Sequence, residues 1–238
     1  VNVAAFPEHF PRDAIVAIFE AASATVTAAG GTIAGGHTIR NPEPIFGLAV
    51  QGVVNPDRIF RKAGARPGDV LVLSKPLGTG IALAGGDPAH KAAAIAGMRR
   101  LNRDASEALQ AHFGAVRAVT DVTGYGLYGH GWEMAERAGG TFRFELERLP
   151  LYDGVADALR RGVRTGGDAR NRDHVERRVD TTGVDPDLAA IGFDPQTSGG
   201  LLAAVDAGIV DDLAEAGFVT IGTVVEQPAA GTPGLQVV

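Results

Sequence analysis

Thr120-Asp121-Val122-Thr123-Gly124-Tyr125-Gly126-Leu127-Tyr128-Gly129-His130 stands where the periodicity of the chain changes. Before it, residues 116–119 form a short apolar run that reads as a strand. After it, apolar residues recur at helical spacing over about residues 127–137. The segment therefore turns a strand into a helix through glycines. Asp121 falls at the strand end, where a carboxylate can hold magnesium while free N–H groups of the helix start face an anion. Two other readings stay open at this point. Asp121 can serve only as a helix cap. Gly124, Gly126 and Gly129 also spell G-x-G-x-x-G, with Glu145 about twenty residues further on, the outline of a dinucleotide-binding site.

Strands and helices alternate outward from this point, which gives a fold class of α/β to α+β. Upstream, residues 11–29 carry Ile15, Ile18, Phe19, Ala22 and Val26 at helical spacing, with Pro11 at the start and Gly30-Gly31 at the stop. Strands are expected at 32–34 and 46–54, with a glycine- and proline-rich loop over 35–44 between them. Residues 70–73 read as a buried strand after the turn Arg66-Pro67-Gly68-Asp69. One long helix is expected over 88–113. Residues 141–147 alternate as a half-buried strand, and a helix follows near 152–161. The arginine-rich stretch 162–178 reads from composition as a solvated loop. A strand at 201–205, a helix at 210–216 and a strand at 219–225 complete the chain. The natural domain boundary is the charged, turn-rich stretch 55–67.

The composition narrows the chemistry. The chain has 238 residues, 33 of them glycine, no cysteine, and a formal charge of −6. The missing cysteines exclude disulfides, thiolate–zinc sites and a cysteine nucleophile within these residues. The acidic balance argues against nucleic-acid binding, yet an acidic protein binds nucleotide phosphates when a divalent cation bridges the two. No apolar run is long enough to span a bilayer and no signal peptide opens the sequence, so the expectation is a cytoplasmic protein with no membrane partner. The first residue is Val1, and the chain reads as a fragment. No P-loop, H-E-x-x-H or G-x-S-x-G motif occurs. His9, His37, His90, His112, His130 and His174 show no metal-ligand spacing.

Two more segments are dense in polar and glycine residues. In Gly35-Gly36-His37-Thr38 the paired glycines let backbone N–H groups approach a phosphate, and Thr38 and His37 add donors. The alternative is a glycine turn with a polar tip. Asp194-Pro195-Gln196-Thr197-Ser198-Gly199-Gly200 reads as a well-formed structural turn.

Taken together, AGGHTIRNPEPIFGLA (34–49), LSKPLGTG (73–80), AVTDVTGYGLYGH (118–130) and DPQTSGGLL (194–202) resemble the selenophosphate synthetase (selenide, water dikinase) family, in that family's order. Gly166-Gly167 followed by Arg170-Asn171 also matches a family loop. The resemblance runs from about Phe6 to the C-terminus. It implies a two-domain ATP-binding superfamily fold of the aminoimidazole ribonucleotide synthetase type. Residues 1–60 would be the C-terminal part of the N-terminal ATP-binding and dimerisation domain, and 61–238 a C-terminal α+β domain. It implies the conversion of ATP, selenide and water into selenophosphate, AMP and phosphate by a homodimer, with Mg2+ as cofactor. By position, Asp121 is similar to the family's magnesium-binding aspartate of this half, and Gly35, Gly36, His37 and Thr38 to the segment that contacts ATP from the partner subunit. Residues 46–54 are implied to lie near the dimer interface. The DPQTSGG segment is similar to a structural signature and supplies no catalytic group.

The rivals are another ATP-dependent enzyme of the same superfamily, a nicotinamide-dependent oxidoreductase built on Gly124, Gly126 and Gly129, and a paralogue that only dimerises. The chain departs from the family in lacking its N-terminal glycine-rich loop with a cysteine or selenocysteine, its lysine and most of its magnesium-binding aspartates. The 238 residues alone are therefore expected not to turn over ATP. Robust AMP formation by the purified chain, measured by chromatography, overturns that expectation.

Overall fold

In the computed structural model, which describes residues 1–226 and 234–238, the chain divides into two units, Val1–Asp57 and Arg58–Val238. The first unit contains β1 (Asn2–Phe6), α1 (Arg12–Ala28), β2 (Gly36–Arg40) and β3 (Ile45–Leu48). Its sheet has the order β2-β1-β3, with β2 parallel and β3 antiparallel to β1. The helix forms as its spacing predicts, with Pro11 at the N-cap. Phe19 of α1 meets Phe46 of β3 edge-on, with ring centroids 5.4 Å apart. The strands differ from the sequence reading. Residues 32–34 are not a strand, the expected loop 35–44 contains β2, and β3 stops at Leu48 rather than 54. Glycine hides β2 because its strand propensity is poor. Here it is required: β1 passes so close that a Cβ on Gly36 would collide with the Asn2 side chain and carbonyl.

The second unit opens with β4 (Val70–Leu73), α2 (Thr79–Ala84), α3 (Pro88–Arg99) and α4 (Arg103–Ala111). Next come β5 (Val116–Asp121), α5 (Gly126–Ala138), β6 (Thr141–Phe144), α6 (Val155–Arg160), α7 (Gly166–Val175) and β7 (Val179–Asp180). It closes with α8 (Pro186–Ala189), β8 (Leu201–Val205), α9 (Val210–Glu215), β9 (Val219–Val225) and β10 (Leu235–Val237). One sheet of order β5-β8-β4-β9-β6-β10-β7 runs through the unit. It is antiparallel from β5 to β6 and parallel where β10 meets β6 and β7.

Central strands covered on both faces read as continuous apolar runs rather than as alternation. Leu71, Leu73, Leu202 and Ala204 point into one core with Leu127, Tyr128 and Met134 of α5 and Phe142 and Phe144 of β6. Val72, Ala203 and Val205 point into the other, with Leu109 of α4, Leu213 of α9 and Phe218. The runs at 70–73 and 201–205 are thus explained.

Two sequence expectations in this unit are corrected. The long helix over 88–113 is two helices, because Arg100 leaves helical geometry (φ −69°, ψ 121°). There its carbonyl accepts from the Lys75 ammonium and its guanidinium donates to the Ser74 carbonyl. The arginine-rich stretch 162–178 is not a solvated loop. It contains α7, which buries Asp168, Asn171 and Val175. Composition misses this helix because the residues it buries are mostly polar.

The topology removes the dinucleotide reading of Gly124, Gly126 and Gly129. A Rossmann unit needs the strand before the glycines and the strand after the helix to be parallel neighbours or nearly so. Here β5 is an edge strand antiparallel to β8, and β6 lies beyond β8, β4 and β9.

Candidate functional site

Asp121 is the last residue of β5, paired with Leu201 of β8, and its side chain is exposed. It is not a helix cap, because Tyr125 occupies the N-cap of α5 and makes no side-chain capping bond. The first-turn N–H groups of this 13-residue helix are left free of a side-chain cap, which suits an anion. The turn from strand to helix is held residue by residue. The Val122 N–H donates to the Gly200 carbonyl at 2.9 Å. The Thr123 carbonyl accepts from Gln196 N–H at 3.0 Å. The Gly124 carbonyl accepts from the Asn171 amide at 2.9 Å. Gly126 sits at φ 70°, and a Cβ there would lie 2.6 Å from the Gly192 carbonyl oxygen, so only glycine opens this helix without strain.

Histidine and aromatic rings surround the turn. His130 of α5 shares a 3.1 Å hydrogen bond between Nε2 and the Thr123 hydroxyl. Burial pushes the His130 pKa down, against the opposing pull of Asp121. The exposed Tyr125 ring lies 5.9 Å from His130 and 5.3 Å from His174 of α7. Among the described residues no group of three or more His, Cys, Asp or Glu side chains converges as a metal cage. A lone exposed carboxylate still fits magnesium, which commonly takes one or two carboxylates and completes its shell with water and substrate phosphates.

The Asp194–Gly200 segment is structural, and its chemistry is that of a buried cap. Asp194 is 0% exposed, and its carboxylate accepts from the Gly80 and Ile81 N–H groups at the start of α2. Gln196 Oε1 accepts from the Gly78 and Thr79 N–H groups and from the Thr79 hydroxyl. Gln196 Nε2 donates to the carbonyl and carboxylate of Asp194. This explains why LSKPLGTG and DPQTSGG occur together: one supplies the helix start and the other its acceptors. Lys75 extends the latch, donating to the carbonyls of Arg100 at 2.6 Å and Ser198 at 2.9 Å. Burial and the neighbouring Arg100 bring its pKa down to about 8. Sequence reading gives no site role to Lys75, Gln196, His130 or Asn171. The first three lie inside the long motifs, while Asn171, although part of the 166–171 stretch that matches a family loop, stands where composition suggests solvent.

Gly35, Gly36, His37 and Thr38 belong to the first unit. Gly35 precedes β2, and the other three lie in it, opposite Asn2, Val3 and Ala4 of β1. All four are exposed, and β2 is an edge of its sheet. The glycine pair is thus the entry to an edge strand rather than a free turn. An edge strand carries unpaired N–H and C=O groups along its open side.

Comparison with known proteins adds the family. Residues 66–232 match the model for the AIR synthase related protein, C-terminal domain. The selenide, water dikinase of Geobacter sp. strain M21 is 42% identical over 245 residues, covering 98% of this chain and 70% of that protein. The chain belongs to the selenide, water dikinase family. The selenide, water dikinase of Caldanaerobacter subterraneus is 37% identical over 218 residues, covering 90% of this chain and 62% of that protein. The chain therefore spans 62% and 70% of the length of these two curated relatives. Among solved structures, E. coli HypE, a hydrogenase maturation protein, superposes with a TM-score of 0.67 at 18% identity, over 99% of this chain and 68% of that one. At that identity the likeness concerns the fold, and the AIR synthase-like fold expected from the motifs is the one found.

Burial raises the Asp194 pKa from its ordinary value to about 6. A carboxyl that holds its proton more tightly when folded adds stability that is full below the unfolded pKa and is lost as pH rises through the folded one. Urea unfolding should therefore show the wild type losing on the order of 2 kcal/mol relative to the Asp194→Asn variant between pH 4.5 and 7.5. Parallel pH profiles for the two proteins would refute the assignment.

Proposed function

We propose that the full-length protein is a selenophosphate synthetase, converting ATP, selenide and water into selenophosphate, AMP and orthophosphate. The observation that carries this reading is the exposed Asp121 carboxylate at the end of β5. It is followed by a rigidly bonded glycine turn and an α5 N-terminus with no side-chain cap, in a chain 42% identical to a selenide, water dikinase over 98% of its length. Transfer of a γ-phosphoryl group calls for charge neutralisation and alignment more than for covalent help.

In this reading Asp121 is the residue that would hold magnesium, which when bound neutralises triphosphate charge and fixes its orientation. Beyond Gly126, whose N–H is taken by the Thr123 carbonyl, the N–H groups of the first turn of α5 have no side-chain cap and would serve phosphate oxygens. His130 orients the Thr123 hydroxyl in the same turn. Gly35, Gly36, His37 and Thr38 contact the ATP held by a partner subunit. The open edge of β2 supports this, because backbone N–H groups there are available to a ligand. The enzyme acts as a cytoplasmic homodimer. The exposed Ile45, Leu48, Val50 and Val53 around β3 support an interface on the first unit. Selenide is the nucleophile in the first transfer and water in the second, so the site must hold ADP against early hydrolysis.

In the full-length protein, Asp121→Asn should lower formation of both AMP and selenophosphate by about a hundredfold or more, with the thermal midpoint nearly unchanged. Phosphorus NMR follows both products in one reaction. Activity within about threefold of wild type would remove Asp121 from the mechanism.

A further inference from the structure

We propose that Asn171 is a positioning residue for the Asp121 turn, its side-chain amide fixing the direction in which that turn and the start of α5 face a metal-bound phosphate. The proposal rests on the selenophosphate synthetase reading and deepens it.

Asn171 lies on α7, is 5% exposed, and spends both amide hydrogens on carbonyls: Gly124 at 2.9 Å and Phe193 at 2.8 Å. The first belongs to the strand-to-helix turn three residues after Asp121. The second immediately precedes Asp194, the buried cap of α2. One planar group thus fastens the site's turn to the backbone just before the fully buried Asp194. A primary amide suits this place because it offers two donors about 120° apart in one plane. The neighbours on α7 explain why the amide stays put. Thr165 caps the helix by accepting from Asp168 N–H, and Arg172 bonds Asp168 at 2.8 Å. The Arg172 guanidinium also stacks 4.2 Å from the centroid of the Phe193 ring.

Of these side chains only Asn171 bonds the turn itself. Removing its donors leaves the Asp121 pairing in β5 intact but frees the Gly124 carbonyl to rotate, and the helix start with it. Its loss therefore falls on the affinity for metal-bound nucleotide rather than on the chemical step. Arg172 serves as the structural control: it supports Phe193 as Asn171 does but bonds no residue from Asp121 to Gly126.

The test uses the full-length protein, with Mn2+ plus a non-hydrolysable ATP analogue followed by electron paramagnetic resonance, and steady-state kinetics in parallel. Asn171→Asp, which turns acceptor oxygens toward two carbonyls, should weaken manganese–nucleotide binding by about tenfold or more and raise KM for MgATP similarly. Its kcat should stay within about threefold. Asn171→Ser, which keeps one donor, should fall between it and wild type, and it decides the matter should the Asp variant not fold. Arg172→Ala should lower the thermal midpoint while leaving nucleotide affinity unchanged. Wild-type affinity in both Asn171 variants, or an equal loss in Arg172→Ala, overturns the positioning role and leaves the enzyme reading standing. If the wild-type protein binds no manganese–nucleotide, both fall together.

Discussion

The second unit depends on a small set of buried hydrogen bonds centred on Gln196. Its carbonyl oxygen takes the N–H groups that open α2, its amide ties back to Asp194, and its own backbone N–H holds the Thr123 carbonyl of the Asp121 turn. Every polar atom in such a place must be paired, because an unpaired one costs about 1–3 kcal/mol. A network that pairs them all fixes a single arrangement of three distant chain segments. The result is a turn whose backbone has little freedom, set beside an exposed carboxylate.

The sheet determines where this network sits. Strands β4 and β8 are covered on both faces, so their ends are the places where chain direction and polarity can change. The Asp194–Gly200 segment enters β8 from one such end, and Asp121 leaves β5 beside it, in register with Leu201. A carboxylate at the last residue of a buried strand is held by the ladder through its backbone while its side chain reaches water. Exposure and rigidity, which usually oppose each other, are thereby combined.

Lys75 and Asp194 show the electrostatic consequence of this burial. Both are charged residue types placed where water is scarce, and both have pKa values moved toward the neutral form, to about 8 and about 6. Neither is paired with an opposite charge in the described residues. Each is bonded to backbone groups instead, the ammonium to carbonyls and the carboxyl to N–H groups. The backbone supplies the dipoles that a counter-ion would otherwise provide.

The sequence by itself determined the alternation of strands and helices in the second unit, the apolar strands at 70–73 and 201–205, and the position of Asp121 at a strand end. It did so because these depend on local period and on residues close in the chain. That the Asp121 carboxylate is exposed and caps no helix was decided by the fold. It did not determine that 88–113 breaks at Arg100 or that the arginine-rich stretch folds into α7. Those outcomes are set by partners far away in sequence, Lys75 for the break and the Gly124 and Phe193 carbonyls for Asn171. Likewise G-x-G-x-x-G is legible as letters, but only the strand order could decide against a dinucleotide fold, since pairing between distant strands leaves no local trace. In the first unit, the strand at 36–40 was masked by Gly36, whose reason, the close approach of Asn2, exists only once the chain has folded.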